Sequence, residues 1–203
     1  MTVVAAAVGG ALWLSRPDEG VTPTVTATGR PTSTPAPAEP VATAPPTCAS
    51  VPRSFAPRSI TVVGVTRGAG VVVPAREPDG VPGAPPLTTH GKTVFAFDRA
   101  QGVRPGDPRG NVLLNAHTWP DGTALGNHLL AKLHRGGRIV VRGDDLRLCY
   151  RVTERVQVLA SRGLPRYYSR KGPPQLAIVV CSGRRLGPGE WEKRTVWFAS
   201  PSA

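Results

Sequence analysis

The chain has 203 residues and a net charge of +12, from 25 Lys and Arg against 13 Asp and Glu. Gly and Pro supply 23 residues each, a content that excludes a coiled coil or a plain helical bundle and favours short strands, turns and an unstructured segment. The positive charge predicts an anionic neighbour, such as nucleic acid, an acidic lipid surface or an anionic polymer. Three cysteines are too few for a disulfide scaffold.

An uncharged apolar run, VVAAAVGGALWL, occupies positions 3–14. As a helix it would be about 18 Å long, which is shorter than the roughly 30 Å hydrocarbon core of a bilayer. Such a run is typical of a signal h-region or of the second half of an anchor helix. We therefore predict that residues 1–16 are a signal or membrane-anchor remnant, which would place the rest of the protein on the extracellular face of the membrane.

Residues 17–50 form a second region with a different composition. Between positions 17 and 47 there are eight prolines and as many threonines, with hardly an aliphatic side chain larger than Val. Such a stretch buries too little apolar surface to offset the entropy cost of ordering it. The composition predicts a disordered, extended stalk.

Residues 51–203 form the predicted folded domain, and the net positive charge lies there. Its apolar runs are short, rich in β-branched residues and bounded by Gly, Pro or Asp, which is typical of strands. Asp144 and Asp145 predict a tight hairpin turn, and positions 126–133 are the one good helix candidate. The fold class is therefore all-β: a closed barrel of about eight strands with one or two short helices. The predicted strands lie at 60–65, 71–73, 94–97, 112–116, 138–142, 146–152, 156–159, 176–181 and 195–199.

Three side chains lie next to predicted strands and together suggest chemistry. Cys181 ends the run LAIVV, His117 follows the run VLLNA, and Arg194 immediately precedes the last strand. Each alone has an ordinary explanation, as a buried thiol, a structural histidine or a solvated arginine. A thiol at the mouth of a buried strand is also where a nucleophile is well positioned.

In three segments the sequence resembles the sortases, the surface-anchored cysteine transpeptidases of Gram-positive bacteria. NAHTWPDGTALGN is most similar to the catalytic-His segment of the actinobacterial class E and F sortases. AIVVCSG lies where the family has Thr-Leu-x-Thr-Cys, and EWEKRTVWFA resembles the strand that carries the family's Arg. An apolar anchor, a Pro/Thr stalk and a C-terminal barrel are also the layout of that family, so the resemblance implies a sortase-type barrel.

The resemblance implies that Cys181 is the nucleophile, His117 the general acid/base and Arg194 the donor to the oxyanion or the substrate carbonyl. The implied reaction cleaves a Leu-Pro- or Leu-Ala-x-Thr-Gly sorting signal at Thr-Gly through a Cys thioester and transfers it to an amine. The implied partners are secreted proteins with sorting signals and an amine acceptor such as a peptidoglycan precursor or a pilin Lys. We expect a monomer that binds the membrane through its N-terminal segment and does not bind nucleic acid.

Three further residues are predicted to bind substrate. The family's Thr before the Cys is Val180 here, which keeps the shape and loses a hydroxyl. The resemblance places the sorting signal beside the loop at 160–175, where Tyr167 and Tyr168 offer apolar faces to a substrate Leu and Pro. Alternatively, the two tyrosines simply cover the edge of the barrel.

The remaining cysteines and histidines receive weaker assignments. Cys149 lies in the middle of a strand and is interpreted as an inert buried thiol, with a disulfide to Cys48 as the alternative. His90, His128 and His134 have no partners at metal-ligand spacing, so we predict no metal and no cofactor.

Three other functions are considered. A basic β-barrel on a stalk would suit a binding module for an anionic polymer, but the sequence lacks the basic-aromatic alternation that stacks bases. An L,D-transpeptidase also combines Cys, His and Arg, but its Gly-Cys motif with a His shortly upstream is absent around Cys181. A catalytically impaired sortase homologue is the third, with Val180 as its first sign.

Overall fold

The structure is a computed structural model that describes Cys48 and residues 53–203. The predicted anchor remnant at 1–16 lies outside the described residues, as does the predicted stalk at 17–50 apart from Cys48. Both assignments therefore remain predictions. Within the described part of the chain, no helix is long and apolar enough to cross a membrane.

The described domain is a closed barrel of eight strands with one α-helix, as the sequence predicts. In chain order its elements are β1 (Ser59–Val62), β2 (Thr66–Val72), β3 (Phe95–Phe97), β4 (Asn111–Ala116), α1 (Leu125–Lys132), β5 (Arg138–Arg142), β6 (Arg147–Leu159), β7 (Gln175–Gly187) and β8 (Glu190–Ser202). Around the barrel the order is β1-β2-β3-β4-β7-β8-β6-β5, and β5 pairs with β1 to close it. The pairs β2–β3 and β4–β7 are parallel, and the others are antiparallel.

The structure changes the boundaries of two predicted segments: one predicted strand is shorter than expected, and two predicted strands are one. The predicted strand at 60–65 ends at Val62, where a tight turn leads into β2. Gly64 in that turn has a φ of +77°, in the left-handed region that favours glycine. The predicted strands at 146–152 and 156–159 are one continuous strand, β6, because the polar residues between them lie at a β-bulge opposite β8 and do not end the strand.

The β7–β8 hairpin extends well beyond its apolar part. Both strands have 13 residues, whereas the apolar runs predict strands only at 176–181 and 195–199. The prediction that Cys181 ends a strand and that Arg194 precedes one is therefore wrong, since both lie inside the hairpin. The additional pairs need no apolar side chains, because the strands continue through backbone hydrogen bonds with mostly exposed or half-buried residues.

The buried residues form two clusters, one on each face of the sheet. The interior cluster fills the barrel, and Trp197 of β8 is its largest fully buried side chain. The outer cluster lies on the outer face of β4, β7 and β8 and is covered by Tyr167. Side chains on a strand alternate between faces, so neighbouring residues of β7 and β8 contribute to different clusters. The outer cluster consists of Leu113, Tyr167, Ala177, Val196 and Phe198.

Two local predictions are confirmed. The helix predicted at 126–133 is α1, shifted by one residue, with Leu129 fully buried against the interior cluster. The predicted turn at Asp144 and Asp145 joins β5 to β6, and the backbone N–H of Gly143 donates to the Leu146 carbonyl across it at 2.8 Å.

The disulfide between Cys48 and Cys149 ties the end of the predicted stalk to β6. The two Cα atoms are 5.5 Å apart, and the residues are separated by 101 positions in the sequence. The interpretation of Cys149 as an inert thiol is therefore wrong, and the alternative pairing is the one found. Cys181 is the free cysteine of the described residues.

Two connections cover the outer face of the barrel beside the outer cluster. Parallel neighbours cannot be joined by a hairpin, so β2 reaches β3 through a long connection. Residues 74–86 of this connection are called the strap here. The connection from β6 to β7 contains the 3₁₀ helix Pro165–Tyr168, which is called the tyrosine turn. The strap and the tyrosine turn are the two walls of the candidate site.

Candidate active site

The outer face of β4, β7 and β8 is the floor of a cleft with a volume of about 300 Å³. Most of the lining is apolar and comes from the floor, the strap and the tyrosine turn. His117, Cys181 and Arg194 lie together at this cleft, so the structure brings the three predicted catalytic residues to one place. An apolar groove with a few polar groups at one place is typical of a binding site for a small ligand or an extended peptide.

Cys181 and Arg194 are directly opposite each other in the β7–β8 hairpin. Directly opposite residues in an antiparallel pair have Cβ atoms about 4.5–5.5 Å apart, so the side chains are neighbours on the same face. Burial raises the pKa of the Cys181 thiol, and the positive charge of Arg194 lowers it by a smaller amount. The thiol is therefore predominantly protonated at neutral pH.

Arg194 is oriented by the backbone of its own strand. Its Nη1 donates to the carbonyls of Trp191 and Lys193, both at 3.1 Å. Its other guanidinium nitrogens make no hydrogen bond within the described residues, which leaves donors for a ligand in the cleft. A guanidinium held in this way can donate to a carbonyl oxygen that gains negative charge.

His117 comes directly after β4, as the sequence predicts. The last parallel pair of β4 and β7 is Ala116 with Val180, so the next residues along the two strands are His117 and Cys181. The Thr118 hydroxyl donates to the Cys181 carbonyl at 2.7 Å and fixes this alignment. The backbone N–H of Gly126 donates to the His117 carbonyl at 2.8 Å, which ties the start of α1 to the same point.

The His117 ring is bound to the strap. Its Nε2 lies 2.6 Å from the carbonyl oxygen of Pro85. Among the described residues no hydrogen bond joins the ring to the Cys181 thiol. Cys181 and His117 are therefore neighbours at the cleft, and their side chains are not hydrogen-bonded to each other within the described residues.

The loop after His117 is held by Lys92. The Nζ of Lys92 lies 2.6 Å from Oδ2 of Asp121 and 4.1 Å from the centre of the Trp119 ring. The hydrogen bond from Lys92 lowers the pKa of Asp121 to about 2, so this carboxylate remains charged in the neutral range. These contacts limit the freedom of the segment that follows the histidine.

The predicted substrate-binding residues occupy three different environments. Tyr167 is 4% exposed in the outer cluster and its hydroxyl donates to the Leu114 carbonyl at 3.2 Å, while burial raises the pKa of that hydroxyl. Tyr168 is 42% exposed and also lines the cleft. The side chain of Val180 belongs to the interior cluster, where a methyl group needs no hydrogen-bond partner. Contact of these three residues with substrate stays a prediction.

In the described part of the chain, no group of three or more His, Cys, Asp or Glu side chains is arranged to hold a metal ion. This includes the three histidines outside the cleft, His90, His128 and His134. The absence of a required metal or cofactor remains a prediction.

Sequence reasoning missed Asn115 and the strap. Asn115 is two residues before His117, so the alternation of the predicted strand at 112–116 already places both side chains on one face. The strap is rich in Pro and Gly, but its position across the cleft depends on contacts with distant residues. A single sequence contains no local pattern for such contacts.

Solved structures of sortases are similar to this chain. Sortase A of Listeria monocytogenes matches with a TM-score of 0.52 at 19% identity, over 71% of this chain and 86% of that one. The pilus-related sortase C of group B Streptococcus has a TM-score of 0.55 at 12% identity, over 75% and 69%. Sortase C of Streptococcus pneumoniae has a TM-score of 0.52 at 12% identity, over 72% and 68%. No protein-family model and no curated protein matches the chain.

These similarities extend over most of the described domain and concern the barrel itself. The closed eight-stranded barrel of this chain matches the fold of these sortases, with TM-scores of 0.52 to 0.55. The described domain therefore has the sortase fold.

Proposed function

We propose that the protein is a cysteine transpeptidase of the sortase type, similar in kind to the actinobacterial class E and F enzymes. One observation carries this proposal: Cys181 lies opposite Arg194 on the outer face of β7–β8, and His117 follows the adjacent strand beside the same cleft. A nucleophile, an acid/base and a cationic donor are the three groups that acyl transfer through a thioester requires.

The first half of the reaction forms the acyl-enzyme. The Cys181 thiolate attacks the carbonyl carbon of a Thr–Gly peptide bond, and the carbonyl oxygen takes the negative charge. Arg194 donates hydrogen bonds to that oxygen. The C–N bond then breaks, the leaving glycine amine takes a proton from His117, and the Thr carbonyl remains on Cys181 as a thioester.

The second half transfers the acyl group to an amine. The incoming amine attacks the thioester carbon and gives its proton to His117, and Cys181 leaves as a thiolate. An amide bond replaces the one that was cut, so the reaction needs no external energy source, oxidant or cofactor.

The cleft fits an extended, mainly apolar peptide. Its floor is built from aliphatic residues of β7 and β8, and its walls include Ala84 of the strap and Tyr168 of the tyrosine turn. We propose that it binds a Leu-Pro- or Leu-Ala-x-Thr-Gly sorting signal, with the tyrosine turn against the first two residues. A volume of about 300 Å³ accommodates a few side chains and excludes a folded domain.

The partners in this proposal are secreted proteins with sorting signals and an amine acceptor such as a peptidoglycan precursor or a pilin Lys. The enzyme acts as a monomer on the extracellular face of the membrane, attached through residues 1–16. The net charge of +12 helps to keep it close to an anionic surface.

Turnover is expected to be slow near neutral pH. Burial raises the pKa of Cys181, so only a small fraction of molecules has the thiolate that attacks.

The test measures product formation by a protein of residues 48–203, which keeps Cys48 and its disulfide to Cys149. The protein is incubated with fluorescent Leu-Pro-x-Thr-Gly and Leu-Ala-x-Thr-Gly peptides and triglycine, and the products are separated by liquid chromatography with mass detection. We expect a Thr–triglycine ligation product with wild type and none with Cys181→Ala. If wild-type protein with an alkylatable Cys181 forms neither ligation nor hydrolysis product from any peptide of this class, the proposal is wrong.

A further inference from the structure

We propose that the strap is the positioning element of His117, with the Pro85 carbonyl fixing the ring tautomer and Asn115 holding the strap in place. The geometric part of this inference stands without the proposed function. Only its consequence for turnover rests on that function.

The contact between His117 and Pro85 assigns the proton on the ring. A carbonyl oxygen has lone pairs and no hydrogen, so it can only accept. At a separation of 2.6 Å, Nε2 must therefore be the donor, and the neutral ring has its proton on Nε2. Nδ1 is then the nitrogen with a free lone pair. It is the atom that can take a proton from a thiol or an amine and return it.

The same contact is kept when the ring is protonated. Both nitrogens of an imidazolium are donors, so Nε2 still donates to the Pro85 carbonyl while Nδ1 gains its proton. The ring does not need to turn between the two halves of an acid/base cycle. This carbonyl thus performs the orienting role that a carboxylate performs in other nucleophile–histidine pairs.

The strap can serve this role because its backbone is fixed close to Pro85. The Asn115 amide donates from Nδ2 to the Gly83 carbonyl at 2.9 Å. A Cβ on Gly83 would collide with the carbonyl of Ala75, so the strap folds tightly on itself at this point. Proline at both 85 and 86 restricts φ, which limits rotation of the carbonyl that His117 uses.

The beginning of the strap is held by an ion pair in which the carboxylate is buried and the arginine is partly exposed. Arg76 donates from Nε to both carboxylate oxygens of Asp98, at 3.1 and 3.0 Å, and Asp98 is 4% exposed. Arg76 also donates to the side chain of Gln101, whose Nε2 donates to the Tyr168 carbonyl at 2.9 Å. Gln101 therefore links the beginning of the strap to the end of the tyrosine turn. Elsewhere each of the two segments has its own hydrogen bonds to β4.

The separate braces are two asparagines on the outer face of β4. Asn115 holds the strap, whereas Asn111 donates from Nδ2 to the carbonyls of Arg166 and Tyr167, at 2.8 and 3.0 Å, and holds the tyrosine turn. The two residues have the same side chain, strand and face and differ in the wall they hold. Asn111 is thus a matched control for Asn115.

The experiment measures the tautomer directly by NMR of protein with ¹⁵N-labelled histidine, at a pH where the ring is neutral. His117→Gln identifies the signals. We expect a single tautomer with the proton on Nε2 in wild type and in Asn111→Ala, and a mixture of both tautomers in Asn115→Ala. Gly83→Ala displaces the strap from its other side and should give the same mixture. Thermal melts select the variants that are folded.

Peptide ligation provides the second measurement. Asn115→Ala should lower kcat about tenfold or more with KM changed less than threefold, because a misplaced acid/base affects the chemical step. Asn111→Ala should mainly raise KM, since it loosens a wall that contacts substrate.

A wild-type ring protonated on Nδ1, or an unchanged tautomer in both folded strap variants, would overturn the proposal. If the tautomers are as expected but no peptide is ligated, the positioning of His117 by the strap is supported and the proposed function is contradicted.

Discussion

The two halves of the β7–β8 hairpin are built from one pair of strands and have opposite characters. In the first half, from Leu176 to Val180 and from Thr195 to Ala199, most side chains are buried in one of the two clusters. In the second half, from Ser182 to Lys193, most side chains are charged, small or exposed. Cys181 and Arg194 form the pair at the boundary between them.

The position at this boundary explains how both residues can be rigid and accessible. The packed half fixes the position and twist of the strands. In the polar half the backbone pairing continues, so neither Cys181 nor Arg194 lies at a frayed strand end. Catalytic groups on regular strands are held more precisely than groups on loops. The packed half should therefore govern stability, the boundary should govern chemistry, and the exposed half should have little influence on either.

The largest effect is expected in the packed half. Trp197→Ala removes a fully buried ring and the hydrogen bond from its Nε1 to the Leu133 carbonyl at 2.8 Å. The expected loss is about 3–5 kcal/mol in the free energy of unfolding, measured by urea denaturation. Leu186→Ala in the exposed half, where the side chain is 56% exposed, should change it by less than about 0.5 kcal/mol. Equal losses for the two would contradict the comparison.

The next effect concerns the boundary. Arg194→Ala should lower kcat about 10²–10³-fold, because the loss of one oxyanion donor usually has that cost. The neighbouring Lys193→Ala is the control, since its side chain points to the other face and it contributes to Arg194 only through its backbone carbonyl. The measurement is steady-state ligation with a fluorescent peptide. If both variants lose activity alike, general charge is responsible and not a directed hydrogen bond.

A third prediction follows from the direction of the pKa of Cys181. Burial raises this pKa, so the Cys181 thiol is still protonated at a pH where a free thiol would already ionise. The rate of carboxamidomethylation by iodoacetamide should therefore rise with pH, with a midpoint above that of a free thiol. Because the charge of Arg194 lowers this pKa, Arg194→Ala should move the midpoint further up. A midpoint below that of a free thiol would show that another group stabilises the thiolate.

The smallest effect lies on the interior face beneath the boundary. The hydroxyls of Thr195 and Ser182 share a 2.9 Å hydrogen bond, and the amide of Gln157 approaches both. Thr195→Val keeps the shape and removes this bond, so it should cost about 1 kcal/mol in the free energy of unfolding. Adding Ser182→Ala should cost less than the sum of the two single changes, because they remove one shared interaction. If the losses in the free energy of unfolding are strictly additive in urea denaturation, the hydrogen bond between the two hydroxyls does not stabilise the protein.

Much of the packed half can be predicted from the sequence, and the reason is local. Short, continuous apolar runs indicate β4, β5 and the apolar parts of β7 and β8, because these segments are buried on both faces of the sheet. The exposed half has no such constraint. In the sequence, Gly183 and the charged residues after it suggest the end of a strand, although the backbone ladder continues past them in the structure.

The site can be predicted in part for the same reason. His117 follows β4, and Cys181 follows the apolar part of β7, so their position at a cleft is a local consequence of where the apolar runs stop. The Pro85 carbonyl that binds His117 belongs to a residue 32 positions away. The pairing of Cys48 with Cys149 spans 101 positions. Contacts over such distances depend on the whole topology, which a single sequence does not state.

The most direct test of the account is the covalent state of Cys181 during turnover. Intact-protein mass spectrometry after a rapid acid quench, in the presence of a Leu-Pro- or Leu-Ala-x-Thr-Gly peptide, should show a mass gain equal to the free fragment that ends at Thr less one water, because the acyl group replaces the thiol hydrogen. Peptide mapping should place it on Cys181, triglycine should remove it, and Cys181→Ala should never acquire it. A folded protein whose Cys181 resists both the peptides and iodoacetamide would contradict the account, because that thiol would then be a core residue and not a nucleophile.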